Sequence, residues 1–224
     1  MIARFTRLMS ASVVKKQIMG LTGLLLCGFL VGHLAGNLLI FVGAEYFNAY
    51  GHALITNPLI YVAEAGLGVL FLAHLGMAVR LIMENHKARP VKYYLKQPTG
   101  RGSTFASSTM PYTGTLTLIF LVLHILQFKF GPVYTIVHGG VEMRDLYKLV
   151  VEFYQSEVAV LWYVVCMISI GVHLTHGFWS AFQSLGFHHP SYTPLLRKIS
   201  VGFAVVIAGG FASLPIYCYF QGGM

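Results

Sequence analysis

Histidines that stand inside apolar runs are the residues of this 224-residue chain best placed to do chemistry. Five lie in runs long enough to cross a bilayer: His33, His74, His124, His173 and His176. An ionisable residue inside a membrane is costly and usually functional. Ligation of a metal ion by the neutral imidazole offsets that cost, so the relative depths of these histidines indicate what they could hold.

The depth of each histidine follows from the helical rise, because consecutive runs must cross the membrane in opposite directions. His33 and His124 lie ~23 and ~17 Å from the entry of two ascending runs, in the outer half of a ~30 Å core. His74 and His176 lie ~23 and ~27 Å along two descending runs, in the inner half. Two imidazole pairs at two depths are what two stacked bis-histidine haems require.

Other roles for these histidines remain open from the sequence. A single intramembrane histidine often serves as a hydrogen-bonding residue between helices. Zinc is a weaker alternative, because a structural zinc site needs four converging ligands rather than two separated pairs. His173 stands one turn from His176 and is a second candidate for the inner level.

The composition predicts an integral membrane protein. The chain is 56% hydrophobic and 10% charged, whereas soluble domains are about 25% charged. The three cysteines are isolated in apolar runs, so we expect buried thiols. No CxxCH motif is present, which excludes a covalently attached c-type haem.

The hydrophobic runs predict an all-α, five-transmembrane-helix bundle in a single membrane domain covering residues 1–224. The predicted spans are residues 17–42, 58–83, 111–130, 158–182 and 199–219. Pro58 and Pro111 suit first helical turns. The segment 84–110 is predicted to be a surface loop, and VEMRDLYKLVVEFY, from Val141, a short amphipathic helix. We find no internal repeat.

The charge distribution predicts the orientation of the bundle. Of the 15 Lys and Arg residues, all but Lys129, Arg144 and Lys148 fall on one side of the predicted spans. The positive-inside rule then places the N-terminus in the cytoplasm and the C-terminus outside.

Four motifs carry a resemblance to a known family. They are HLAGNLLIF around His33, AEAGLGVLFLAHLG around His74, LVLHILQF around His124 and HGFWSAFQSLG from His176. Together they resemble the cytochrome b subunit of succinate dehydrogenases and fumarate reductases. More narrowly, the chain resembles the bacterial type in which one five-helix chain holds two haems and forms the whole membrane anchor. The resemblance extends from about Lys15 to Tyr219.

The resemblance implies two haem b groups, the outer one held by His33 and His124 and the inner one by His74 and His176. It leaves His173 near the inner haem, as a hydrogen-bonding residue or an alternative ligand. It also implies a bacterial cytoplasmic membrane, a quinone substrate, commonly menaquinone, and two cytoplasmic partners. These are an iron–sulfur subunit and a flavoprotein that carries FAD and the dicarboxylate site. Some members of the family carry an acidic residue at the position of Leu174, and that residue is proposed to move protons across the membrane. Because leucine cannot carry a proton, we do not expect that route in this chain.

Glu64 is the predicted residue for proton transfer to or from quinone. It lies ~15 Å above His74, level with the predicted outer haem, and we expect an unpaired carboxyl there that can exchange protons. A structural acid bonded to a neighbouring helix is the alternative, and Glu45 and His52 are weaker candidates. Two other functions stay open: a cytochrome b subunit of a hydrogenase or formate dehydrogenase, and a haem-free transporter or structural anchor with a histidine proton relay.

Overall fold

A computed structural model describes residues 11–88 and 104–222 of the chain. The fold consists of long helices joined by short elements. Two of the helices end in a turn of different pitch, a 3₁₀ turn at Leu38–Phe41 and a π turn at Ile125–Lys129. The helices are α1 (Ser12–Asn37), α2 (Ala44–Thr56), α3 (Leu59–Lys87), α4 (Phe105–His124), α5 (Leu146–Phe153), α6 (Glu157–Ser184) and α7 (Thr193–Gln221). A two-stranded sheet of β1 (Thr135–His138) and β2 (Val141–Arg144) precedes α5.

Five of these helices, α1, α3, α4, α6 and α7, are long and apolar enough to cross a membrane. The predicted five-span membrane architecture is therefore confirmed, and the chain has the character of a multi-pass membrane protein. The direction of insertion stays a prediction from the charge distribution. The spans run 25 to 30 residues including their terminal turns, longer than predicted, because hydropathy marks the apolar centre of a helix and not its polar ends.

The third span differs most from its predicted bounds. It begins at Phe105, where Thr104 and Ser107 form a capping box that satisfies the free backbone donors of the first turn. Pro111 consequently lies inside α4, and its predicted place in a first helical turn is wrong. The predicted loop 84–110 is likewise shorter, since α3 continues to Lys87; residues 89–103 lie outside the described part of the chain.

The segment between the third and fourth spans begins as a hairpin and not as a helix. Gly139 and Gly140 both have positive φ angles, 57° and 79°, which suits the two central residues of a tight hairpin turn. The predicted amphipathic helix is therefore wrong at Val141–Arg144, which pair with Thr135–His138 as an antiparallel ladder. Its second half is correct: α5 begins after Asp145, whose carboxylate accepts from the Lys148 N–H at 3.0 Å.

Helix α6 lies at the centre of the bundle and packs against α1, α4 and α7. The tightest contact joins α6 to α7, where the Ser200 hydroxyl lies 3.1 Å from the Leu174 carbonyl and 2.9 Å from that of Thr175. The expectation of buried cysteines is confirmed at all three positions: Cys27, Cys166 and Cys218. In contrast, α3 packs mainly against α1 and has no buried residue.

A candidate histidine site between the spans

The predicted outer pair comes together in the structure. The imidazole rings of His33, on α1, and His124, on α4, have centroids 5.9 Å apart and planes inclined by 85°. Two imidazoles bound to one metal ion from opposite sides have ring centres about 6 Å apart, for metal–nitrogen bonds of about 2.0 Å. Two rings in a T-shaped contact, with no metal between them, have a similar separation. The separation alone therefore does not identify a metal site, and the hydrogen bonds of the ring nitrogens must be considered.

The Nδ1 atom of His124 lies 3.3 Å from the hydroxyl oxygen of Tyr163. That hydroxyl donates its only hydrogen to Oε1 of Gln127 at 2.6 Å, so its oxygen is the acceptor for the imidazole. His124 must then carry its hydrogen on Nδ1, which leaves the Nε2 lone pair free. The contact at His33 has the opposite sense: the Nδ2 atom of Asn37, a donor, lies 3.4 Å from Nδ1 of His33, which would accept there.

The inner level shows the same arrangement twice. Nδ1 of His74, on α3, lies 3.1 Å from the hydroxyl of Thr22 on α1. Nδ1 of His173, on α6, lies 3.1 Å from the hydroxyl of Thr113 on α4. Each threonine lies within hydrogen-bonding distance of the carbonyl four residues earlier, at 2.8 and 3.1 Å, so its oxygen can accept from Nδ1–H. When the threonine oxygen accepts from Nδ1–H, the imidazole has Nε2 deprotonated, the form that binds a metal.

His173 lies closer than His176 to the depth of His74. His173 lies ~24 Å along α6 and His74 ~22 Å along α3 from their outer ends, whereas His176 lies ~28 Å along α6. His173 is within electrostatic range of both other imidazoles. The Nδ1 atom of His176 is buried and has no hydrogen-bond partner within the described ranges. The assignment of His176 to the inner pair stays a prediction, and His173 is a second candidate.

The two inner threonines reveal a short internal repeat that the sequence analysis missed. Residues 22–33, TGLLLCGFLVGH, and 113–124, TGTLTLIFLVLH, are identical at seven of twelve positions. In both, the threonine and the histidine are eleven residues apart, which puts them on one face of the helix three turns apart. The repeat extends to packing, because Phe29 stacks on His33 and Phe120 stacks on His124, with centroids 5.2 and 5.4 Å apart.

The repeat in α1 and α4 extends to the helices that pack against them, α3 and α6. Thr22 on α1 bonds His74 on α3, and Thr113 on α4 bonds His173 on α6. The two helix pairs α1–α3 and α4–α6 are therefore equivalent, and each supplies one outer and one inner histidine. Under this equivalence His74–Leu75 corresponds to His173–Leu174. The signal that could have found these threonines is the Thr-Gly pair that opens each copy.

The predicted proton-transfer residue, Glu64, is not unpaired. Its carboxylate forms an ion pair with the ammonium of Lys129, and both side chains are nearly half exposed within the protein. The expectation of a free carboxyl is wrong because Lys129, at the end of the third span, pairs with Glu64. Of the weaker candidates, Glu45 accepts a hydrogen bond from His138 Nε2 at 2.9 Å, and His52 lies on α2.

Open space flanks the histidines where the sequence has glycines. A Cβ atom built on Gly28, Gly32, Gly66, Gly68 or Gly76 meets no atom within 4 Å, so these five glycines do not mediate close helix packing. In the described ranges, no group of three or more His, Cys, Asp or Glu side chains is arranged to hold a metal ion. A structural zinc site needs such a group, whereas a bis-imidazole haem takes two protein ligands.

Neither family models, curated proteins nor solved structures gave a match to the chain.

Proposed function

We propose that this chain is the dihaem cytochrome b anchor of a succinate:quinone oxidoreductase, relaying electrons between an iron–sulfur subunit and membrane quinone. The observation that carries the proposal is the twofold arrangement of histidines. Four spans each contribute one imidazole, two at each of two levels, and each Nδ1 lies within hydrogen-bonding reach of a neighbouring polar side chain.

In this proposal His33 and His124 hold the outer haem, and His74 and His173 hold the inner haem. Bound haem supplies one-electron transfer through the change of oxidation state of its iron. The protein's own contribution is to fix the ligands: the hydroxyls of Thr22, Thr113 and Tyr163 orient the imidazoles and make them more basic. Phe120 and Phe128 also pack against the His124 ring.

The dicarboxylate chemistry is assigned to partners. The resemblance supports an iron–sulfur subunit and an FAD-containing flavoprotein on the predicted cytoplasmic side, where most of the Lys and Arg residues fall. It supports menaquinone as the quinone and a bacterial cytoplasmic membrane as the location.

The decisive experiment is purification of the complex from its native membrane with measurement of haem content. We expect two haems b per copy of this chain, two resolved midpoint potentials, and co-purification of an FAD-containing and an iron–sulfur subunit. A nickel or molybdenum enzyme as partner would instead assign the chain to another quinone-linked complex. Absence of a reduced-minus-oxidised haem spectrum would overturn both assignments and favour a haem-free transporter or structural anchor.

A further inference from the structure

A groove runs along the second half of α3, on the side of the helix that faces away from His74. It has a volume of about 460 Å³, and the residues that line it recur every three or four positions: Gly76, Val79, Arg80, Met83, Glu84 and Lys87. This spacing places them on one face of the helix. Gly76 follows His74 by two residues and therefore lies about 200° around the helix from it. The groove is thus separate from the proposed haem sites.

The groove changes from apolar to cationic along its length. At its deep end a Cβ atom on Gly76 would meet no atom within 4 Å, and the side chains of Val79 and Met83 are exposed. Arg80 and Lys87 bring positive charge towards the end of the helix. Gly76 and Lys87 are separated by ~16 Å of helix, about half of a ~30 Å hydrocarbon core. The groove therefore matches the depth of one leaflet, with its charged part at the membrane boundary.

The cations of the groove outweigh its one carboxylate. Glu84 forms an ion pair with Lys15 on α1 and accepts from Nε of Arg80 at 3.2 Å. Within the described ranges Arg80 bonds only through Nε, so its two amino groups can donate to a further acceptor. Lys87 forms no ion pair with the described residues. Three cations and one carboxylate leave a net charge of +2, which favours an anionic ligand.

We propose that this α3 groove binds an anionic phospholipid from the leaflet that the charge distribution identifies as cytoplasmic. The phosphate bonds Lys87 and the amino groups of Arg80, since a guanidinium suits two phosphate oxygens at once. One acyl chain lies over Met83 and Val79 and reaches Gly76. Basic pockets on the cytoplasmic side of membrane helices favour anionic headgroups in this way. The inference does not depend on the proposed function, because the groove faces away from His74.

The test uses the full-length chain, purified in detergent with any subunits that accompany it. The probe is a phosphatidylglycerol that carries a diazirine in its acyl chain, and it should label α3 between Gly76 and Met83. Unlabelled dioleoyl phosphatidylglycerol should displace it at concentrations at least about fivefold lower than dioleoyl phosphatidylcholine, which has the same chains and no net charge. Inorganic phosphate, which has the charge and no chain, should not displace it.

Three variants test the two parts of the groove separately. Arg80→Gln and Lys87→Gln should each weaken phosphatidylglycerol binding about fivefold or more. Gly76→Leu should abolish labelling by filling the deep end. It should still fold, because a side chain there has open space and leucine favours a helix more than glycine does. Lys198→Gln is the matched control, since it removes one exposed cation from α7, outside the groove, and should leave binding unchanged.

The other outcomes identify a different occupant. Equal displacement by phosphatidylcholine would leave only a general lipid contact, and displacement by inorganic phosphate would leave only a surface anion site. Label on an accompanying subunit in place of α3 would assign the groove to a protein interface. Each of these results would overturn the phospholipid site and leave the proposed function standing. A chain without haem that shows all the expected binding effects would overturn the proposed function and leave this site standing.

Discussion

The hydroxyl of Thr113 lies 3.1 Å from Nδ1 of His173, across the contact between two membrane-spanning helices. The threonine hydrogen can be given to the Thr109 carbonyl, 3.1 Å away, so the threonine oxygen can accept from the imidazole. The bond determines which ring nitrogen is free, and the same bond recurs between Thr22 and His74. These two bonds are the contacts on which the proposed inner haem site rests.

Replacing Thr113 by valine should loosen the inner haem selectively. The variant keeps the shape of the side chain and removes the bond that orients His173, and loss of such a bond typically costs 10–100-fold in affinity for the bound group. A less basic imidazole also stabilises the ferric state less, so the midpoint potential of the inner haem should rise. Haem retention and redox titration measure the two effects.

Thr115→Val is the control for this change, because the Thr115 hydroxyl bonds only the Pro111 carbonyl of its own helix, at 2.8 Å. It should leave both haems unchanged. Equal effects of the two substitutions would show that Thr113 acts through the helix and not through His173.

Ligand replacements should act in pairs. His33→Ala and His124→Ala should each remove the outer haem and leave the inner spectrum intact, whereas His74→Ala and His173→Ala should do the converse. Optical and EPR spectra of the purified variants measure which centre is lost. Removal of the inner haem by His176→Ala, with His173→Ala unaffected, would restore the assignment made from the sequence motif.

The number of spans and the outer histidine pair could be predicted from the sequence because both depend only on lengths and positions along the chain. Span number follows from the length of apolar runs, and the His33–His124 pairing follows from depth alone. Depth could not separate His173 from His176, because they are one turn apart and helix ends are uncertain by about a turn. The proposal of His173 rests on its contact with Thr113 on another span, which depth does not report.

Other features depended on contacts that hydropathy does not report. Helix α2 lies between two spans and is fixed by its neighbours, with the Tyr50 ring directly against Gly36. The ion pair of Glu64 with Lys129 joins residues 65 positions apart, so a carboxyl that looks isolated in the sequence has a partner. The hairpin at Gly139–Gly140 and the repeated Thr-Gly pairs were present as patterns and could have been recognised.

Tyr163→Phe should affect the outer haem alone. The substitution removes the oxygen that accepts from His124 Nδ1 at 3.3 Å and that donates to Gln127. The imidazole then loses the bond that fixes its tautomer, so the midpoint potential of the outer haem should rise while that of the inner haem stays constant. Redox titration of both centres in one sample provides the internal control. An equal shift of both would indicate a general loosening of α6.

Asn48→Ala should destabilise the segment that covers the outer end of the bundle. Asn48 is 2% exposed; its amide donates to Asp145 and accepts from the Tyr147 N–H, both at 2.9 Å. The substitution leaves the Tyr147 N–H without a partner, at about 1–3 kcal/mol, and removes one of the two bonds to the Asp145 carboxylate, which keeps the Lys148 N–H. A lower unfolding temperature and faster proteolysis at α5 are expected. Thr56→Ala, on the same helix but exposed and bonded only to its own backbone, should have little effect.

The Glu64–Lys129 ion pair allows a proton-transfer role to be separated from a structural one. Glu64→Gln removes the titratable proton and keeps the size of the side chain. If the carboxyl transfers protons, quinone-linked turnover should fall by a factor of ~10²–10⁴. Both haems and the rate of dye-linked succinate oxidation should stay unchanged. Lys129→Gln keeps the carboxyl and removes its partner. If the pair is structural, the two single variants should resemble each other, and the double variant, which leaves no unpaired charge, should recover.

We expect the structural result, because the carboxylate is held by an ammonium. The measurement is the ratio of quinone-linked to dye-linked rates in the four proteins of the double-mutant cycle, at constant haem content. A ratio that stays low in the double variant, together with a near-normal ratio in Lys129→Gln, would contradict this expectation. That outcome would assign proton transfer to Glu64 itself.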